Sequence, residues 1–112
     1  MALERFLVVD PEGSLAPFVE TLRRAAGPAT AVEVAPAFVP GAWRLVFAAL
    51  PDVDEPLGRT EAPVVGVAAG EDEARAKRAL RAGAFDVVDA SCPASRLVRL
   101  LDECADETFL LA

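Results

Sequence analysis

Acidic side chains that directly follow apolar segments are the residues of this chain best suited to chemistry. Asp10 follows the apolar segment Phe6–Val9, and Asp52 and Asp54 follow a second one that ends at Leu50. Carboxylates in such places can hold Mg²⁺ or act as nucleophiles. Asp52 and Asp54 could come near Asp10 and form a weak metal site, or they could simply bond the backbone of a turn. Both interpretations stay open at this point.

Other kinds of chemistry are excluded by missing residue types. The chain has no histidine and no tyrosine, which removes histidine acid–base catalysis, the Ser-His-Asp triad and histidine-ligated metals. If Cys92 and Cys104 lie on one helix, they are about 18 Å apart along its axis, too far for a disulfide. The turn Asp10–Ser14 matches neither a dinucleotide-binding glycine motif nor a Walker loop.

The composition predicts one globular domain that does not bind nucleic acid. The chain has 112 residues, 54% of them hydrophobic, and a net charge of −7. Nucleic-acid binding depends on neutralising phosphates, so an acidic balance argues against it. No apolar run approaches the roughly 20 residues of a membrane helix, and Met1–Arg5 does not resemble a signal peptide. We therefore expect a cytoplasmic protein without membrane contact.

The hydrophobic pattern predicts strands that alternate with helices. Leu45–Ala49 is apolar without polar alternation, which is typical of a strand covered on both faces of a parallel sheet. Gly66 inside a later strand indicates close approach by another group, such as a neighbouring backbone. Ser14 is the expected N-cap of the first helix. The predicted strands are residues 5–10, 30–35, 45–49, 63–68 and 85–88, and the predicted helices are residues 15–26, residues 71–82 and a last one from Pro93.

Two connections are too rich in proline and glycine for full helices. Residues 36–43 contain Pro36, Pro40 and Gly41, which rule out a regular helix. Residues 51–62 leave room for a single helical turn at most. Thr108–Leu111 is an apolar segment that either docks onto the rest of the domain or continues the last helix.

Three segments, taken in order, resemble a response-regulator receiver domain. They are Leu7–Glu12, Leu50–Asp54 and Arg81–Val88, and the similarity spans nearly the whole chain. The resemblance implies a flavodoxin-like α/β fold, with a five-stranded parallel sheet in the order 2-1-3-4-5 and with the second and third helices shortened or lost here. We expect residues 1–112 to form a single receiver-like domain, of which residues 106–112 are a tail or linker.

The resemblance also locates a phosphorylation site whose reactive residues are replaced. A receiver ends its first strand with paired acids that hold Mg²⁺; those positions are Asp10 and Pro11. The phospho-accepting aspartate corresponds to Phe47, the Thr or Ser of the fourth strand to Ala68, and the lysine of the fifth to Ala90. Phenylalanine cannot attack phosphorus, and one carboxylate is a poor Mg²⁺ site. We therefore expect no enzyme activity, no catalytic residue, no metal and no cofactor.

The shortened connections indicate a possible interface. A receiver covers one sheet face with three helices, and this chain keeps one of them at full length. Uncovered apolar surface usually marks an interaction site, and the residues expected there are Phe38, Val39, Trp43, Leu50 and Val53. The alternative is that the connections fold down and cover the sheet with their own side chains.

These observations predict a degenerate receiver, or pseudoreceiver, in bacterial signalling. It would act without phosphorylation, as a protein–protein interaction or dimerisation module, and its partner would be another protein or a second copy of itself. Two alternatives stay open. One is a phospho-switch with an unusual acceptor, and the other is a flavodoxin-like domain that binds a small ligand.

Overall fold

The secondary structure alternates strands and helices, as the hydrophobic pattern predicts. A computed structural model describes residues 4–70 and 72–111, and for residues 106–111 it describes the backbone alone. Within these residues the chain forms five strands, one 3-10 turn and four α-helices. In chain order they are β1 (Glu4–Val9), α1 (Ala16–Ala26), β2 (Thr30–Ala35), β3 (Leu45–Ala49), the 3-10 turn (Leu50–Asp52), α2 (Asp54–Arg59), β4 (Val64–Ala68), α3 (Glu73–Ala82), β5 (Asp86–Asp89) and α4 (Ala94–Leu111).

The described strands form one parallel sheet in the order β2-β1-β3-β4-β5. This confirms the predicted flavodoxin-like fold and its 2-1-3-4-5 order. Strand β3 is central, and four of its five residues are buried, as expected for a strand covered on both faces. Because the strands are parallel, the segments that follow β1, β3 and β4 meet at one edge of the sheet.

Helices α1 and α4 cover one face of the sheet. The pattern of apolar residues three and four apart places one stripe of each helix against the strands. Burial of these side chains provides most of the favourable free energy on this side of the fold. The buried cluster contains Phe6, Val8, Leu15, Phe18, Val19, Leu22, Leu45, Phe47, Val65, Val67, Val88, Leu97, Leu100 and Cys104.

The opposite face has less helical cover, and a connection without a helix completes it. Residues 36–44, all of which the structure describes, contain no regular helix between β2 and β3. The second helix of a receiver is therefore lost, as predicted. Phe38 and Trp43 from this connection join the buried cluster of Leu7, Val9 and Val46 on the sheet. The connection thus takes over the covering role of a helix.

Polar and cation–π contacts fix the two aromatic side chains in place. The Trp43 indole N–H donates to the Val39 carbonyl oxygen at 2.7 Å, and the Arg5 guanidinium lies 4.5 Å from the Trp43 ring centroid. The Phe38 backbone N–H donates to the Glu55 carboxylate at 3.2 Å. Cations that lie over aromatic rings are attracted by the negative ring face. The Arg5 contact therefore holds the connection against β1, and the Glu55 contact holds it against α2.

The third helix is shortened, but less than predicted. The expected limit was one helical turn, whereas the chain forms the 3-10 turn Leu50–Asp52 and then α2, which has six residues. The limit was too low because Pro56 lies at the third position of α2. In the first turn of a helix the missing proline N–H would have had no partner.

Gly66 permits a close contact on the same face. A Cβ atom at residue 66 would lie 2.7 Å from Cδ2 of Leu50, which is too close for two carbon atoms. The close approach expected at this glycine is therefore made by a side chain, not by a neighbouring backbone. It lets the 3-10 turn fold directly onto β4.

Helix α4 continues to Leu111. Of the two possibilities for residues 108–111, the backbone shows a continued helix. No described helix is long and apolar enough to cross a membrane.

Candidate functional site

A cavity lies at the carboxyl ends of β1, β3 and β4, where the resemblance places a phosphorylation site. Its volume is about 330 Å³. Parallel α/β sheets bind ligands at this edge. The residues that line it are Asp10, Pro11, Glu12, Ser14, Leu15, Ala49, Leu50, Pro51, Asp52, Val67, Ala69, Asp72 and Arg75.

Asp10 is buried at this edge and is bound to the backbone. It is 7% exposed. One carboxylate oxygen accepts the Ser14 backbone N–H at 3.1 Å, and the other accepts the Leu15 N–H at 3.0 Å. Asp10 therefore organises the turn between β1 and α1. The prediction that Ser14 is the N-cap of α1 is wrong, because the N-cap residue is Leu15. The Leu15 side chain cannot accept a hydrogen bond, so the Asp10 carboxylate accepts the backbone N–H groups at this end of the helix instead.

Phe47, to which the resemblance assigns the position of the phospho-accepting aspartate, is a core residue. It is fully buried. Its ring centroid lies 5.5 Å from that of Phe18 and 6.1 Å from that of Phe6. Tilted and edge-on pairs at such distances are favourable. The side chain belongs to the core under α1 and α4.

Two further positions that the resemblance assigns to reactive residues, Ala68 and Ala90, carry alanine side chains. Ala68 ends β4 and is buried, and Ala90 follows β5. Their backbones are joined, since the Ala90 N–H donates to the Ala68 carbonyl oxygen at 2.7 Å. Neither methyl group can donate a hydrogen bond or supply positive charge to a phosphoryl group.

The acidic residues near the cavity do not converge on one point. Asp10 and Asp52 line the same cavity, whereas Asp54 lines two neighbouring ones. Across residues 4–70 and 72–105, no three His, Cys, Asp or Glu side chains are arranged to hold a metal ion. The cation at the rim, Arg75, lies 3.2 Å from the carboxylate of Asp72.

Asp89, the last residue of β5, and Cys92, which follows the strand, have altered acidity. Hydrogen bonds from the Ser91 hydroxyl and then from the Ser91 backbone lower the pKa of Asp89. Burial raises the pKa of the Cys92 thiol, the largest of several influences. A raised pKa leaves less thiolate at neutral pH, which argues against a reactive cysteine.

The predicted open patch is not present in the structure. Phe38, Trp43, Leu50 and Val53 are buried, and Val39 is 45% exposed. The alternative is therefore the correct one: the connections fold down and cover the sheet. Sequence reasoning alone could not decide this, because cover requires contacts from Arg5 and Glu55, which lie far along the chain.

Other exposed apolar side chains were not predicted. They are Val34 on β2, Leu80 on α3 and Val98 on α4. The edge position of β2 follows from the predicted strand order, and this signal could have drawn attention to Val34.

Comparison with known proteins identifies the fold. No protein-family model matches the chain, and no curated protein is significantly similar to it. Among solved structures, the chain is similar to NtrX from Brucella abortus, determined in complex with ADP. The identity is 25% and the TM-score 0.76, over 96% of this chain and 27% of NtrX. The chain thus spans about a quarter of that protein.

Two other solved structures match over nearly the full length of their chains. A CheY-like receiver domain protein from Methanospirillum hungatei is 16% identical, with a TM-score of 0.76 over 98% of this chain and 99% of its own. A response regulator from Thermotoga maritima is 16% identical, with a TM-score of 0.70 over 91% and 97%. The chain therefore has the receiver fold.

Proposed function

We propose that this chain is a pseudoreceiver: a receiver-type domain of bacterial signalling that works without phosphorylation and acts through contact with another protein. The observation that carries the proposal is the burial of Phe47 between Phe6 and Phe18. An aromatic ring fills the position at which the resemblance implies a nucleophile. The proposed location is the cytoplasm.

The rest of the site supports the same conclusion. Phosphoryl transfer needs a carboxylate nucleophile, Mg²⁺ held by hard oxygen ligands and a cation for the developing charge. Asp10 holds two backbone N–H groups, and Ala68 and Ala90 stand where a hydroxyl and an ammonium are expected. The cation at the rim of the cavity, Arg75, is already paired with the carboxylate of Asp72. A domain with these groups has little means of transferring phosphate and is suited to binding.

Incubation with acetyl phosphate and Mg²⁺, followed by intact-mass measurement at neutral pH, tests the proposal. A phosphorylatable receiver treated in parallel is the positive control. We expect the mass of this chain to stay unchanged while the control gains a phosphoryl group. An adduct on this chain would contradict the proposal, and Asp52→Asn and Asp10→Asn variants would then locate the acceptor.

A second candidate function is binding of a small ligand in the cavity beside Asp10. Its volume of about 330 Å³ lies at the low end of the roughly 300–1,000 Å³ that ligand sites occupy. A thermal-shift screen with flavins and nucleotides, ADP included, addresses this function. A saturable shift that Asp52→Asn or Arg75→Ala removes would favour ligand binding over a purely protein-binding role.

A further inference from the structure

Strand β2 forms an edge of the sheet and presents apolar surface. Within the residues that the structure describes, it has a neighbour on one side, β1. Its six residues are partly buried or exposed, and Val34 is 47% exposed. An edge strand presents unpaired N–H and C=O groups that another strand can bond.

The β1–β2 hydrogen bonds show which backbone groups point outward. The Ala35 carbonyl oxygen accepts the Asp10 N–H at 2.9 Å, so Ala35 faces β1. Because successive residues of a strand alternate in direction, Thr30, Val32 and Val34 direct their backbone groups to the open side. The Val32 carbonyl accepts the Arg23 guanidinium at 3.4 Å, which agrees with this assignment.

Strand β2 has little of the protection that edge strands usually carry. Natural edges are blunted by lysine, proline, bulges or inward-pointing charge. The single charged residue of β2, Glu33, is already engaged by Arg5 across the sheet at 3.0 Å. At the edge itself, the Arg23 guanidinium protects the Val32 carbonyl oxygen by a hydrogen bond, but this bond is long and exposed.

We propose that the open edge of β2 pairs antiparallel with β2 of a second copy of this chain, centred on Val32. The inference rests on the proposed role as an interaction module and names the partner. Val32 would exchange both backbone hydrogen bonds with Val32 of the second copy. The Val34 N–H would donate to the Thr30 carbonyl oxygen of the second copy, while the Thr30 N–H keeps its bond to the Gly27 carbonyl oxygen at 3.4 Å. The two sheets would then become continuous.

Charge determines the register and permits the contact. Centring the pair on Val32 places Glu33 opposite Ala31 of the second copy, whereas centring it on Glu33 would oppose two carboxylates, which is unfavourable. The chain has a net charge of −7, but beside β2 the charges cancel in two ion pairs, Arg5–Glu33 and Arg23–Glu20. The strand edge is thus a locally neutral surface on an acidic protein.

Sedimentation equilibrium of the wild type and of Val34→Lys tests the proposal. Val98→Lys is the matched control, because Val98 is 44% exposed and Val34 47%. We expect a reversible wild-type dimer, about tenfold weaker in Val34→Lys and unchanged in Val98→Lys. A wild type that is monomeric up to millimolar concentration would overturn the proposal, as would equal effects of the two lysines.

Arg23 provides an independent test with its own control. The Arg23 guanidinium must leave the Val32 carbonyl before that carbonyl can pair. Because Arg23 also pairs with Glu20, the double variant Glu20→Ala/Arg23→Ala removes the guanidinium without leaving a carboxylate unpaired, and it should tighten the dimer. Glu20→Ala/Arg24→Ala makes the same charge change but keeps Arg23 and should leave the dimer unchanged. Weakening by Glu20→Ala/Arg23→Ala would contradict the pairing.

Hydrogen exchange measured by NMR identifies the edge directly. With rising protein concentration, the Val32 and Val34 amides should gain protection, while amides that face β1 should not change. A dimer without this protection would use another surface and would overturn the inference, yet leave the proposed function standing. Phosphorylation by acetyl phosphate would overturn the proposed function whatever the oligomeric state.

Discussion

At the scale of the residue, Phe47 packs in the core at the position that the resemblance assigns to a phospho-accepting aspartate. A carboxylate in its place would be surrounded by Phe6 and Phe18, where desolvation of a charge is costly. The aromatic ring instead gains apolar burial and ring contacts. Packing and phosphoryl chemistry thus exclude each other at residue 47.

Truncation of Phe47 to alanine should destabilise the fold strongly. The free energy of unfolding should fall by ~3–5 kcal/mol, because the change leaves a cavity in the core. Urea denaturation measures the loss. Val98→Ala, at an exposed position, should change stability by less than ~0.5 kcal/mol. Similar losses in the two variants would show that Phe47 does not contribute to the core as described.

The Asp10 carboxylate has a structural role, because it accepts two backbone hydrogen bonds in the turn between β1 and α1. Asp10→Ala would leave the Ser14 and Leu15 N–H groups without their acceptors, so we expect a loss of ~1–3 kcal/mol. The control is Glu12→Ala, an exposed residue in the same turn. Chemical denaturation of the two variants should separate them. Equal stabilities would mean that water replaces the carboxylate without cost.

At the scale of the element, the contact between the 3-10 turn and β4 depends on Gly66. Gly66→Ala would place a methyl group 2.7 Å from Leu50 Cδ2, and such overpacking typically costs ~1–3 kcal/mol. In a Leu50→Ala background the cost of Gly66→Ala should fall to under ~1 kcal/mol. A double-mutant cycle of unfolding free energies measures this coupling. Additive effects would contradict the proposed contact.

The elements that the sequence predicts well are those that local patterns determine. The apolar segment at β3 and the periodic stripes of α1 and α4 indicate both their type and their buried sides. The connection 36–44 is different, because its position depends on Arg5 and Glu55, which are distant in the chain. The length of α2 was underestimated because the position of Pro56 within a helix cannot be known before the helix start is known.

The candidate site also combines residue identities, which local sequence indicates, with contacts that depend on the folded structure. The correspondence of Phe47, Ala68 and Ala90 to the reactive positions of a receiver follows from the resemblance alone and stays a prediction. The hydrogen bonds of Asp10 and the direction of the Val34 backbone depend on turn geometry and register. These are properties of the folded chain, so the sequence pattern could not supply them.

At the scale of the whole molecule, one connection without a helix takes the place of one helix on a sheet face that α2 and α3 also cover. Two aromatic side chains, Phe38 and Trp43, cover sheet surface that a receiver normally covers with its second helix. Charged partners at Arg5 and Glu55 hold this connection in place. The side chains of Phe38 and Trp43 are therefore buried, and the face is closed at this connection.

Removal of the Trp43 side chain should open this face. Trp43→Ala should lower the free energy of unfolding by ~3–5 kcal/mol and expose the apolar surface of Leu7 and Val9, which binding of the dye ANS would report. Trp43→Phe keeps most of the buried area but loses the hydrogen bond to Val39, so its loss should be ~1 kcal/mol without added dye binding. If both variants bind ANS as weakly as the wild type while Trp43→Ala stays folded, other residues close the face. If Trp43→Ala binds the dye and Trp43→Phe does not, this single ring maintains the closure that the lost helix would otherwise provide.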